Sequence, residues 1–438
     1  MSTIEGLVKN EDLRKKLLFT LFALIIYRIG VQVPTPGVNN EAVQAFFGAQ
    51  RTGIFGLFNT FTGGALERFS IFALGIMPYI SSSIIVQLLT SAIPQLEQLK
   101  KEGSHGQKKI NQYTRYGTVL LAFIQGYGIS TWLLNSSSPD GTPLVPSPTV
   151  GPIPFVALTI ITLTAGTCFI MWLGEQITER GIGNGASLII FAGIAAGIPK
   201  GAMNTLELVR KGEMGVLIGL LLLAFMVLVI GFIIFMEVAQ RRIPIQHSQR
   251  GGRLGGQTQH LPIKINFSGV IPPIFASSLL MLPATLAQFT QSEGLAALRD
   301  SFQPTGALYN VIFIALIAFF CFFYAEIVFK PDDVAENLKK SGGFIPGIRA
   351  GKSTSNYVQR ILNRINVAGA AYLCAVCVLP TILVDTAKVP FYFGGTSLLI
   401  LVGVAMDFTQ QVQAHLLSAK YESFMRGATK MKSRRVQY

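Results

Sequence analysis

Ile80 and Ile84 stand one helical turn apart in the run LFNTFTGGALERFSIFALGIMPYISSSIIVQLLT (57–90), while Ser82, Ser83, Gln87 and Thr90 fall on other faces of the same helix. Branched apolar side chains can make a dry, deformable seal that offers a passing backbone no hydrogen bonds. Hydroxyl and amide groups at membrane depth instead need water, a neighbouring helix or a moving partner. The remaining reactive residue types assemble into nothing catalytic. His105, His247, His260 and His415 lack ligand spacing, and GIRAGKS (347–353) has Pro346 where a phosphate loop needs glycine. GIGNG (181–185) follows an apolar helix rather than a strand, so it is no dinucleotide fingerprint. Cys168, Cys321, Cys374 and Cys377 lie in apolar stretches and read as small buried hydrophobes. No Ser-His, Asp-Asp or zinc-ligand pair stands at membrane depth, so the sequence predicts no enzyme, no metal and no cofactor.

The elements that must position these residues are membrane helices. With 50% apolar residues, 13% charged and a mean hydropathy of +0.49, the 438-residue chain cannot keep its apolar segments in a water-soluble core. Ten long apolar stretches are expected, at 17–33, 71–93, 116–134, 153–173, 186–198, 214–238, 270–289, 307–329, 367–383 and 397–412. The 186–198 stretch is the weakest, shortened by Gly185 and Gly193. Lys and Arg alternate between connections with a roughly fourfold bias, which predicts cytoplasmic termini and cytoplasmic basic loops. The first stretch is longer than a signal-peptide core and PTPG (34–37) offers no cleavage pattern, so it reads as a retained helix. The net charge of +14 concentrates in 239–268 and 330–366, loops suited to a large phosphate-rich or acidic partner. Glu175, Glu237, Glu326, Asp385 and Asp407 sit near span ends and only Arg28 lies deeper. An uncharged middle suits a conduit for a varied, partly apolar substrate; a secondary transporter of a small solute, built as an inverted repeat, is the alternative.

The strings SIFALGIMPYIS (70–81), KKEGSHGQKKINQYTRYGT (100–118), RGIGNGASLIIFAGI (180–194), HLPIKIN (260–266), GVIPPIFASS (269–278), GGFIPGIRAG (342–351) and GGTSLLILVGVAMDF (394–408) resemble the SecY/Sec61-alpha family, in order and over essentially the whole chain. The resemblance implies an all-α polytopic membrane protein, with ten transmembrane helices in two pseudo-symmetric five-helix halves around a central hourglass pore. Residues 1–200 would form the N-terminal half, 201–213 an external hinge, 214–415 the C-terminal half and 416–438 a basic cytoplasmic tail. The implied pore ring is Ile80, Ile84, Ile190 and Ile274, with Ala186 and Ala405 where other members often carry isoleucine. A plug would occupy about 55–68 and include Phe58, Phe61, Gly63, Gly64, Leu66 and Glu67, with TGGAL (62–66) as its flexible exit. A lateral gate would be lined by Ser83, Gln87, Thr90, Gln125, Ser277 and Ser278, polar contacts that latch a seam able to part. Arg349 matches the family's critical docking arginine, with Arg241, Arg242, Arg250 and Arg253 beside it as contacts for SecA or for ribosomal RNA. The implied function is passage of unfolded secretory polypeptides across the bacterial plasma membrane and sideways release of signal sequences and membrane helices into lipid. The implied partners are SecE and SecG as a heterotrimer, the SecA motor ATPase, the ribosome, signal peptides, unfolded preproteins and the bilayer, together with SecDF and YidC.

Overall fold

Where a bilayer removes water from the backbone, every N–H and C=O must be satisfied within its own segment, so long uncharged runs fold as helices. The computed structural model describes residues 11–49, 54–212, 215–247, 259–289, 306–387 and 395–435. Among these, six helices are long and apolar enough to cross a membrane, or seven if one bent pair is a single span. The protein is a helical polytopic membrane protein. Its chain forms two compact units, one holding residues up to Ala202 and from Val404 onward, the other most of the chain between Met203 and Gly403.

The first unit contains α1 (Glu11–Gly30), α2 (Asn40–Ala49), α3 (Ile54–Phe61), α4 (Met77–Ala92), α5 (Pro94–Lys101), α6 (Ser104–Leu134), the two-residue strands β1 (Thr149–Val150) and β2 (Ile153–Pro154), α7 (Phe155–Arg180) and most of α8 (Gly185–Arg210). The helix expected to start at Ile71 begins only at Met77 and holds 16 residues. Residues 62–76 run as turns because they are wedged between small-residue notches: Gly30 leaves room for the Phe72 ring, and Gly166 for the Ile71 carbonyl. Pro94 turns α5 by 99° from α4, since it lacks an N–H and holds Ile93 extended (φ −103°, ψ 117°). The weakest expected span proves longer than the sequence suggested, α8 continuing through Pro199 to Arg210. Its start is capped by Asn184, whose Oδ1 accepts from the N–H of Ala186 and of Ser187.

The second unit contains α9 (Val216–Val238), β3 (Gln240–His247), β4 (Gln259–Lys264), α10 (Ile271–Phe289) apart from its last residues, α11 (Ala307–Val328), α12 (Pro331–Lys340), β5 (Gly343–Phe344), α13 (Lys352–Ala387) and the first turns of α14 (Gly395–Arg435). The two basic stretches expected as loops instead contribute one antiparallel sheet of order β4-β3-β5. Alternation along β3 explains it: Ile243 and Ile245 are buried while Arg242, Pro244 and Gln246 are exposed. Ile243, Ile263 and Ile345 pack on Val358, Ile361, Leu362 and Ile365 of α13. Below the sheet, buried Asn266 donates from Nδ2 to the carboxylate of Glu237 at the end of α9 and to the Gly269 carbonyl, just before α10.

Candidate functional site

The segment that follows α3 is held by backbone-directed bonds. The Tyr27 hydroxyl donates to the Thr62 carbonyl at 3.0 Å and Arg28 Nη1 donates to the Gly63 carbonyl at 3.0 Å. Gly63 (φ +67°) and Gly64 (φ +88°) both occupy the left-handed region, and a Cβ on Gly63 would stand 2.6 Å from the Gly193 Cα of α8. Close glycine-to-glycine approach therefore explains the glycine that weakened the fifth span. Lys200 Nζ reaches both carboxylate oxygens of Glu67 at 3.0 and 3.1 Å, while the Asn59 side chain donates from Nδ2 to Glu67 Oε2 and accepts at Oδ1 from the Glu67 N–H. Phe58, Phe61 and Leu66 are buried, and Phe69, just beyond, is buried with φ +44°. The TGGAL exit expected to be flexible is thus tightly packed at Gly63.

Ile80, Ile84, Ile190 and Ile274 are all buried, whereas Ala186 and Ala405 are half-buried. Ala405 lines an apolar cavity of about 530 Å³ together with Leu17, Leu21, Leu188 and Phe408. The polar residues assigned to a seam are satisfied mainly within their own helices: Gln87 Nε2 donates to Ser83 Oγ at 3.2 Å, Thr90 to the Val86 carbonyl and Ser277 to the Ile274 carbonyl. Gln125 Oε1 and Ser278 Oγ are buried without a hydrogen-bond partner among the described residues. Ser82 is a packing contact, donating to the Thr114 carbonyl at 2.7 Å where Gly117 leaves room on α6.

Arg241 and Arg242 are exposed on β3, and Arg349 is exposed on the turn after β5, between Gly347 (φ +81°) and Gly351 (φ +105°). No ion pair occupies these three guanidinium groups among the described residues. The sheet and the turn that follows β5 therefore carry arginines from both basic stretches; Arg250 and Arg253 lie outside the described residues. Sequence reasoning missed this sheet, although Ile243 and Ile245 alternate along β3, and Leu261 and Ile263 along β4, with the spacing of a strand. It also missed Tyr27, Gly193 and Lys200, which meet the 59–67 segment only through the fold, and Asn59, which folds that segment onto Glu67. No group of His, Cys, Asp and Glu able to hold a metal occurs among the described residues.

Long apolar helices in series, a short helix pinned among them and buried isoleucines define a polytopic helical membrane protein. A sequence model of the SecY family matches residues 70–409. The chain belongs to the SecY family. It is 53% identical to the protein translocase subunit SecY of Pseudomonas aeruginosa, over 95% of this chain and 94% of that one. The Escherichia coli K12 counterpart is 47% identical over 95% of each chain, and that of Aquifex aeolicus 45% identical over 97% of this chain and 99% of its own. The fold matches a solved protein-conducting channel with TM-score 0.68 over 93% of each chain at 18% identity. It also matches, with TM-score 0.67 over 93% of each chain at 20% identity, a structure concerning the plug domain of the SecY protein, which stabilises that channel's closed state and maintains a membrane seal.

Proposed function

We propose that this chain is the channel subunit that passes unfolded polypeptides across a bacterial plasma membrane and releases apolar segments sideways into lipid. The observation that carries the reading is the segment from Ile54 to Phe69: a short helix and two left-handed glycines, seated against α1 and α8 by contacts made largely to its backbone. In this reading it is the plug, and Ile80, Ile84, Ile190 and Ile274, flanked by Ala186 and Ala405, form the ring it seals. Isoleucine suits a gasket that must close dry and then deform around a chain of varied side chains.

Ten spans in two five-helix halves (1–200 and 214–415, joined at 201–213) place both termini and the sheet in the cytoplasm, as the alternating basic residues favour. Ser83, Gln87, Thr90, Gln125, Ser277 and Ser278 line the seam through which signal sequences reach lipid; the unpartnered oxygens of Gln125 and Ser278 support that role. Arg241 and Arg242 on the sheet and Arg349 on the turn after β5, with Arg250 and Arg253, dock SecA or the ribosome, while SecE and SecG complete the complex. The experiment is ATP-dependent protease protection of a fluorescent unfolded preprotein in proteoliposomes holding this chain, SecE and SecA. The expected outcome is protected product with the wild type and at least a tenfold loss with Arg349→Glu at equal folded yield. Vesicles that accumulate a small solute but protect no preprotein would establish the transporter instead.

A further inference from the structure

Arg28 is the deepest charge of the first span, and no carboxylate pairs with it among the described residues. It is half-buried and donates to the Gly63 carbonyl, beside Tyr27, which donates to the carbonyl of Thr62. Both carbonyls lie just past the C-terminus of α3, where a short helix leaves acceptors unpaired and its dipole favours a cation. At the far side of the same turn, Lys200 grips Glu67, the lysine side chain 58% exposed and the glutamate 17%. Resting on the channel reading, we propose that Arg28 and the Lys200–Glu67 pair form a two-part latch that sets how readily the plug leaves, and hence how good a signal sequence must be to open the channel.

The two parts differ physically. The Lys200–Glu67 pair meets water, so salt weakens it. The Arg28 bond is sheltered and little screened, and its loss leaves a cation at membrane depth without its acceptor, which drives the plug back. Arg28 therefore supplies the larger and salt-insensitive share of closure. That gives a function to a charge which neither ion coupling nor a salt bridge explains.

The test uses the reconstituted complex with its small subunits, read as resting conductance in planar bilayers and as motor-driven import of two preproteins, one normal and one with a charge inserted in the apolar core of its signal. Arg28→Leu should raise resting conductance about tenfold, the loss of a hydrogen bond to a charged group, and should admit the defective preprotein. Arg28→Lys, which keeps a cationic donor, should fall between. Lys200→Glu should raise conductance about threefold at low salt and less at high salt, and the exchange Lys200→Glu with Glu67→Lys should reverse much of the change. A merely structural Arg28 would lose import of the normal preprotein and gain nothing on the defective one; that outcome, or unchanged conductance in Arg28→Leu, overturns the latch. A wild-type complex that imports neither preprotein overturns the channel reading itself.

Discussion

Two adjacent glycines do different work at the plug exit. Gly64 needs only its left-handed backbone, since a Cβ there would meet nothing within 4 Å, whereas Gly63 needs both its φ of +67° and the space against Gly193. A methyl at Gly63 would stand 2.6 Å from backbone that cannot rotate away, and a methyl at Gly193 would stand 2.9 Å from the Phe61 carbonyl. Gly63→Ala should therefore unseat the segment at a cost of roughly 1–2 kcal/mol or more and raise resting conductance, while Gly64→Ala should cost only about 1 kcal/mol of backbone strain. Equal conductance in the two variants, measured in planar bilayers, would show that the approach to Gly193 does not hold the plug. The sequence reading took the TGGAL glycines as a flexible exit. A glycine kept for close approach and one kept for flexibility are identical in a single sequence; only the neighbour on α8, well over a hundred residues away, separates them.

At the scale of elements, helical periodicity and length were legible and the sheet was not. Apolar stretches announced α6, α7, α9 and α11, because a span must be long and nearly uncharged. The start of α4 was misplaced because the glycine notches at Gly30 and Gly166 act through partners rather than through local composition, and α8, which starts where expected, runs on through Pro199 to Arg210 beyond the expected end at 198. The basic charge of 239–268 and 330–366 drew attention from the alternation that makes β3 and β4. Ile263 is buried at 2% exposure in the cluster joining the sheet to α13. Its truncation in Ile263→Ala should cost about 2–4 kcal/mol of local stability and loosen the frame that carries Arg241, Arg242 and Arg349. Binding of the motor to the reconstituted complex, followed by surface resonance, should weaken severalfold while resting conductance, set by the plug, stays at the wild-type level. Wild-type motor affinity in Ile263→Ala would mean that the arginines need no sheet.

For the whole molecule, the number of crossings turns on α1, α10 and α14. Length and composition pass over α1, whose first turns carry Glu11, Asp12, Arg14, Lys15 and Lys16 and whose last carries Arg28, although Leu18, Leu21, Phe22, Ile25 and Ile29 are exposed as a lipid-facing stripe would be. They pass over α10 as well, where the apolar run described is Ile271–Met281 and Pro283 follows. In α14 one helix of 41 residues merges an apolar half with a basic tail. The charge alternation nevertheless favours a crossing α10: counted, it puts an even number of spans between the α5–α6 connection and the turn before β5, so both basic segments share a side. Omitted, it would place Ser341 opposite Ser104. Single cysteines in a chain freed of Cys168, Cys321, Cys374 and Cys377 decide this, because Ser104, Ser137 and Ser341 are exposed. With a membrane-impermeant maleimide on intact cells, Ser137→Cys should label at once, and Ser104→Cys and Ser341→Cys only after the membrane is opened. Labelling of Ser341→Cys from outside would remove α10 from the spans and, with it, Ile274 from the ring and Ser277 and Ser278 from the seam.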